Sequence, residues 1–509
     1  MTPDSPAWPE TPEARFAPGS ATAATQEVPY RFAGTTAVAT VVESYGELLA
    51  AGTESGDVVT VAGRVMLLRD QGKLAFATLR DWTGSIQLFS LEAFTDDFGP
   101  FKRLSLGDWI GATGEVVKTR RGELSVKVAS WVMLAHARHG FGDKWRGVND
   151  PDVRFRQREV DMWANEGVRD RFLVRSRIVV AIRQLLAARG YVEVETPVLL
   201  PQAGGANAKP FVTHFNSMHA DFYLRIATEL YLKRCVIGGF ERVFEVGRTF
   251  RNEGIGPKYN PEFTMLEAYQ AYADYLDMAE LIEYLVSGAA VAATGGTRVS
   301  FQGRELDLTP PWRRATLSEV VQEATGYELS LETPLEELVR AARELGVETK
   351  SGDDAGQVLA EIYDKTTEPK LWGPVHVMDY PQSVSPLTRK HRSKPGYVER
   401  LTPIAAGREL GECYSELLDP DDQRERFLAQ VADGERGYDE AMAMDEDFIR
   451  ALERGMPPLG GIGLGIDRLV MILTDVSHIR EVLLFPALRP EAGREPAESS
   501  VGESGEASA

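Results

Sequence analysis

The sequence predicts an α+β chain, a small closed β-barrel followed by a larger domain in which an antiparallel sheet is flanked by helices. Three observations predict it. Five short β-rich runs, punctuated by the turns "DQGK", "DWTG" and "RRGE", fill the stretch from Val58 to Leu134. Apolar residues then recur at helical spacing from Val174 to Ala188. Finally, "ERVFEVGRTFRNE" and "PEFTMLEAYQAY" alternate like strands and flank "GIGPKYN", whose Gly and Pro suit the loop of an antiparallel hairpin.

Taken in order, residues 1–55 form a leader that starts disordered, acidic and Pro-rich and then acquires some helical pattern. It has no basic stretch before an apolar one, so it does not read as a secretory signal. Residues 56–140 form the barrel, and a helix-rich linker follows over 141–170. The mixed domain spans 171–488. Its first helix ends at Gly190, and "YVEVETPVLL" reads as a strand running into Pro197. A polar, mainly helical insertion is expected at about 276–372. The tail, 489–509, lacks the apolar content to pack.

The chain's 509 residues are enough for two or three domains, with 43% hydrophobic and 26% charged residues in the range of a globular protein. No apolar run approaches the roughly 18 residues of a membrane span. Two cysteines, Cys235 and Cys413, cannot form a disulfide framework and fit a reducing cytoplasm. The seven histidines show no zinc spacing. A net charge of −20 argues against coating nucleic acid by bulk attraction, although a local basic face such as "KTRRGELSVK" remains compatible with binding.

Three clusters carry chemistry. On the hairpin's return strand, side chains two apart share a face, so Phe263, Met265, Glu267 and Tyr269 point one way. That set suits a pocket for a planar ring and an amine; a half-buried sheet with incidental polar residues gives the same pattern. In "GRELGECYSELLDP", Glu412, Tyr414 and Glu416 share a strand face, with Glu409 beyond Gly411. Carboxylates gathered this way repel unless Mg²⁺ or an ammonium joins them, or unless they form a solvated strand end. In "GGIGLGIDRLVMILT" a Gly-rich strand runs into a helix with Arg468 near its start, which suits a phosphate, although strand–helix packing accounts for the glycines as well.

In this order the clusters match the three signature motifs of the class II aminoacyl-tRNA synthetases. From about residue 58 to 488 the chain resembles their lysine-specific family, actinobacterial-like, with "YLRIATELYLKRCVIGGFERVFEVGRTFRNEG" and "EDFIRALERGMPPLGGIGLGIDRLVMILTD" closest to it. The resemblance implies an OB-fold anticodon-binding barrel before a class II catalytic domain, activation of L-lysine by ATP with Mg²⁺, and transfer to tRNA(Lys) in a cytoplasmic homodimer built around Pro197. It implies that Arg251 bridges the ATP α-phosphate and the amino-acid carboxylate. Glu253, Asn260, Phe263, Glu409 and Arg468 complete the ATP site, with Phe263 stacked on adenine and Arg468 at the γ-phosphate end. Arg251, Glu253 and Arg468 stand out as catalytic. The implied lysine site comprises Gly205, Glu229, Arg251, Glu267, Tyr269, Glu412, Tyr414 and Glu416. Glu409 and Glu416 match metal ligands, and Phe76, Gln87 and Glu123 match anticodon contacts.

The departures from the family cluster together. Thr402 stands where a Mg²⁺-binding carboxylate is usual, Glu412 replaces an asparagine, Tyr414 replaces a phenylalanine, and Tyr259 replaces a histidine before Asn260. Glu412 could take over the duty Thr402 lacks. Two alternatives stay open beside a lysine–tRNA ligase. One is a diverged paralog that activates lysine or an analogue for a non-tRNA acceptor; "SPLTRKHRSKPGYVER" is similar to the synthetase part of actinobacterial lipid-lysylating proteins. The other is a non-catalytic tRNA-binding regulator.

Overall fold

The computed structural model describes residues 28–139, 148–435 and 442–490. The expected disordered start of the leader, the first residues of the linker and nearly all of the expected tail lie outside the described residues. The chain divides after Glu166 into two compact units, each built around its own core.

In the first unit five strands close a barrel in the order β1-β2-β3-β5-β4, namely β1 Glu54–Asp70, β2 Leu74–Arg80, β3 Ser85–Leu91, β4 Trp109–Lys118 and β5 Leu124–Ala135. Strict alternation along β2 and β3 sends Ala75, Ala77, Leu79, Ile86 and Leu88 into the barrel core. The other face of the same strands carries Phe76 and Gln87 outward. Helix α1, Val38–Tyr45, belongs to the same core through Val38 and Val41.

The second unit is organised by a nine-stranded sheet. Its strands in chain order are β6 Val192–Glu193, β7 Arg242–Phe250, β8 Glu262–Ala271, β9 Arg313–Thr316, β10 Val375–Pro381, β11 Tyr397–Ala405, β12 Arg408–Glu409, β13 Gly411–Ser415 and β14 Leu459–Gly465. Across the sheet the order is β9-β10-β11-β13-β14-β8-β7-β6, with β12 on β11. The centre is antiparallel, as the β7–β8 hairpin predicts, and Arg242 pairs with Gln270 at one end and Phe250 with Glu262 at the other. Parallel pairs occur at the edges, β6 with β7 and β9 with β10.

Helices α2, Val168–Ala188, and α4, Tyr275–Thr294, pack their apolar faces on the central strands. Between them in sequence, α3 covers Glu229–Ile237, and after β14 the chain forms α5, Ile466–Leu473. Asp467 on α5 ties three of these elements together. Its carboxylate lies 2.5 Å from Arg175 Nη1 of α2 and accepts the Thr264 backbone N–H of β8 at 2.7 Å. Arg175 also donates to the Thr264 hydroxyl at 3.0 Å.

Two expectations need correction. The continuous strand over 191–200 is instead two short pairings, Val192–Glu193 and Leu199–Leu200, because Thr196 and Pro197 bend the chain between them. The segment 276–372 is not a polar addition to the domain. Its first helix, α4, buries Met278, Leu281, Ile282, Leu285 and Val286 in the main core, and β9 extends the sheet itself. The three helices that follow, Leu317–Thr325, Leu335–Glu344 and Ala355–Thr366, form a satellite core against Val375, Val377 and Ile404.

Replacing Asp467 by Asn would leave the Arg175 guanidinium without its ion pair in a site shielded from water. The expected cost is about 3 kcal/mol of unfolding free energy, read from urea denaturation. A loss below roughly 1 kcal/mol, the scale of a surface pair, would show that Asp467 does not hold these elements together.

Candidate active site

The site is built over a strand with almost no side chains. On β14, Gly461, Gly463 and Gly465 face Tyr269, Glu267 and Met265 of β8, while Ile462 and Leu464 point into the core behind. On the other side Gly461 and Gly463 pair with Tyr414 and Glu412 of β13. Alternation therefore makes β14 a floor and lets the long side chains of its neighbours stand as walls. A Cβ at Gly461 would overlap Glu416 Oε1 and stand 2.6 Å from the Tyr269 ring.

One end of this floor is acidic and buried. Glu229, Glu267 and Glu416 converge there with Tyr269 and with Lys233 of α3. Thr228 N–H donates to Glu267 Oε1 at 3.2 Å, and the Tyr269 hydroxyl donates to Oε2 at 3.3 Å. Burial and the nearby Glu229 push Glu267 up to about 7. Burial, opposed by Lys233 and reinforced by Glu229 and Glu267, pushes Glu416 up to about 8. Gly205 closes this end; with φ at +90°, its Cα lies so near that a Cβ would meet Ala227 at 3.2 Å and Glu229 at 3.7 Å.

The other end is cationic. Arg251 opens the loop after β7, where its N–H bonds to Pro261 O at 2.9 Å, and its guanidinium stacks 5.2 Å from the centre of the Phe263 ring. Arg251 Nε and Asn260 Oδ1 are buried without hydrogen-bond partners, while Asn260 Nδ2 donates to Glu262 O at 2.6 Å. Glu253 lies exposed in the same loop. Arg468 donates to the carbonyl of Glu409 at 3.0 Å and to its carboxylate at 3.1 Å, and lies over the Tyr259 ring. A flat aromatic face between guanidinium groups and orphaned polar atoms can take up a ring and an anion.

The structure places Glu409 and Glu416 apart, at opposite ends of β13: Glu409 turns to Arg468 and Glu416 to Lys233. Among the described residues no three His, Cys, Asp or Glu side chains converge as a metal cage. The departures Thr402 and Glu412 lie on paired strands, each next in sequence to the pair Leu401–Cys413. Glu412 forms an ion pair with Arg400, whose guanidinium lies 4.2 Å from the centre of the Tyr380 ring and 5.9 Å from that of Tyr414. Thr402 is buried and its hydroxyl has no partner.

On the barrel, Phe76 stacks on Phe89 at 5.3 Å with Arg69 above it, an open aromatic platform. Gln87 donates to the Ser125 hydroxyl at 2.9 Å, and Ser125 donates to the carbonyl of Glu123, so the three residues singled out from the sequence lie along one face. Sequence reasoning missed Phe89, Arg400 and Lys233. The last had a visible signal: Glu229 and Lys233 stand four apart in "TELYLK", the spacing of an ion pair along a helix.

Comparison with known proteins adds a family to this geometry. Residues 150–489 match the model of the tRNA synthetases class II (D, K and N), and residues 59–134 match that of the OB-fold nucleic acid binding domain. The chain is 50% identical over 455 residues to a lysine–tRNA ligase of Prochlorococcus marinus (strain MIT 9313), an alignment covering 87% of this chain and 90% of the relative. It is 52% identical over 447 residues to one of Synechococcus sp. (strain CC9311), covering 87% and 91%. A lysine–tRNA ligase of Clostridium perfringens (strain 13 / Type A) is 47% identical over 470 residues, covering 91% and 92%.

Gly461→Ala should force Glu416 and the Tyr269 ring aside, with an overpacking cost of about 1–3 kcal/mol in denaturant unfolding. A variant as stable as the parent would mean that the floor of the site yields freely.

Proposed function

The chain belongs to the tRNA synthetases class II (D, K and N), and from that premise we propose that it is a lysine–tRNA ligase, joining L-lysine to the 3′ end of tRNA(Lys) at the expense of ATP. The observation that carries the choice of lysine is the buried trio Glu229, Glu267 and Glu416 beside Tyr269, which suits ammonium groups and repels a carboxylate side chain.

No protein nucleophile is needed. The lysine carboxylate attacks the ATP α-phosphate in line, pyrophosphate leaves, and a ribose hydroxyl of the tRNA 3′ end then attacks the lysyl-adenylate. Arg251 bridges the two reacting anions, Phe263 supports adenine, Glu253 and Asn260 complete the ATP loop, and Arg468 holds the γ-phosphate end. Gly205 gives the substrate backbone room, Glu229 takes its α-amino group, and Glu267, Tyr269 and Glu416 take the side-chain ammonium. Tyr414 and the Arg400-paired Glu412 line the wall near the substrate carboxylate.

The residues present fit Mg²⁺ through one carboxylate. Glu409 is half-buried at the phosphate end, and a single carboxylate with phosphate oxygens is an ordinary Mg²⁺ environment. Bound there, Mg²⁺ would neutralise the β- and γ-phosphates. Glu409 keeps its contact with Arg468 at that end, whereas Glu416 lies with Lys233 at the opposite, buried end of the floor and Glu412 with Arg400.

The barrel supplies the tRNA contact, with Phe76 stacking an unpaired anticodon base and Gln87 and Glu123 at its edge. A homodimer is supported by exposed apolar residues around the first helix and Pro197, among them Val180, Val198, Leu199, Val212 and Phe215. A cytoplasmic setting is supported by the free Cys235 and Cys413, and among the described residues no helix is long and apolar enough to cross a membrane.

ATP–pyrophosphate exchange with each of the twenty amino acids tests the proposal. Exchange with lysine alone is the expected result; its absence would favour a non-catalytic tRNA binder, and exchange without tRNA charging a different acceptor. The lysine KM should fall as pH rises through about 7, because Glu267 must lose its proton to pair with an ammonium. A KM flat from pH 6 to pH 8 would remove Glu267 from that role. Phe76→Ala should raise the KM for tRNA(Lys) by about 10- to 100-fold, the loss of one stacked base, and leave exchange unchanged.

A further inference from the structure

The pocket assigned to lysine already contains an ammonium. Glu229 and Lys233 lie one turn apart on α3, so both side chains leave the same face of the helix. Lys233 Nζ donates to Glu229 Oε1 at 2.5 Å and stands 2.5 Å from Glu416 Oε2, outside hydrogen-bonding geometry but in full electrostatic contact. The side chain is 0% exposed, and its helix neighbours Leu232 and Val236 are buried as well, so it has no path to water. On the far side of Glu416, Oε1 is buried with no hydrogen-bond partner. Burial works against the charged Lys233, yet Glu229 and Glu416 outweigh it and hold its pKa above the ordinary value.

This ammonium links two groups with different tasks. Glu229 is the anchor for the substrate's α-amino group and Glu416 an anchor for its side chain, so one bridging cation sets the spacing between the two ends of the site. It also sets the charge. With all three carboxylates ionised, they and the one ammonium leave room for two positive charges, the number that L-lysine brings on its two amino groups. Lys233 already works against the burial that raises Glu416, and without it the crowded carboxylates would hold their protons more tightly still against an ammonium guest.

Resting on the assignment of this pocket to lysine, we infer that Lys233 is a positioning residue that remains in place when substrate binds, ties Glu229 to Glu416, and thereby sets both the charge and the chain length of the amino acid accepted. Its Nζ gives no contact to the reacting atoms. The substrate's side-chain ammonium takes the open Oε1 of Glu416 while Lys233 keeps Oε2.

The test is ATP–pyrophosphate exchange by the full chain and its Lys233→Met variant, with L-lysine and with ornithine, which is one methylene shorter. The variant should show a lysine KM raised about 100-fold and a preference for lysine over ornithine in kcat/KM reduced at least about tenfold. The KM for ATP should stay within about threefold, a split that general loosening of the fold would not produce. Lys233→Gln, which keeps amide donors without the charge, is measured beside it; the same lysine-specific loss is expected there, including where the Met variant does not fold. A lysine KM within about twofold of the parent, with ornithine still rejected, overturns the inference. A parent protein with no lysine-dependent exchange overturns the assignment of the pocket, and the inference falls with it.

Discussion

Asp467 joins α2, β8 and α5 through Arg175 and the Thr264 backbone, and the next residues along the chain on either side of that junction are Arg468 and Phe263. The Arg468 guanidinium and the Phe263 ring are thus each one residue from a member of the same buried junction. Such a carboxylate is stable only while it is fully paired, which means that the elements carrying Arg468 and Phe263 cannot drift independently. The relative placement of groups far apart in sequence, at 175, 264 and 467, is a matter of satisfying one charge in a site without water.

The same rule operates at the acidic end with a different outcome. There the charges are deliberately unbalanced: Glu229, Glu267 and Glu416 share one internal cation, and the pKa values of the latter two rise accordingly. An unpaired carboxylate costs stability in the empty site and is relieved by a ligand of the right charge. The two ends of the floor therefore differ in kind, one closed on itself by ion pairs and one open to a positively charged guest.

Much of this was legible in the sequence because it depends on period and punctuation. The barrel strands, the β7–β8 hairpin, the shared face of Phe263, Glu267 and Tyr269, and the glycine strand ending at Arg468 follow from alternation and from the glycines and prolines between runs. What period could not give was partnership. Glu416 read as a lysine-site carboxylate and metal ligand, and its contact with Lys233, a residue from a helix more than a hundred positions away, was not foreseen. Glu412 read as part of the lysine site and a possible stand-in for the missing metal ligand, and it is held by Arg400 across two strands. Segment 276–372 looked like an insertion because its later helices are polar outside, while the apolar α4 that fills the main core shares the same stretch. Long-range pairing of charges is invisible until the sheet order is known.

The glycine strand β14 carries one more implication. Its contribution to the pocket at Gly461 and Gly463 is the absence of side chains, and nothing can be trimmed from a glycine. Mutation at the floor can therefore only narrow the site, whereas accommodation of a bulkier or differently charged amino acid must come from the walls, at Tyr269, Tyr414 or the glutamates. Divergence within this architecture is in that sense one-directional: a lineage that takes up a bulkier or differently charged substrate will record the change on the walls, from β8, α3 and the β13 segment, and leave β14 silent.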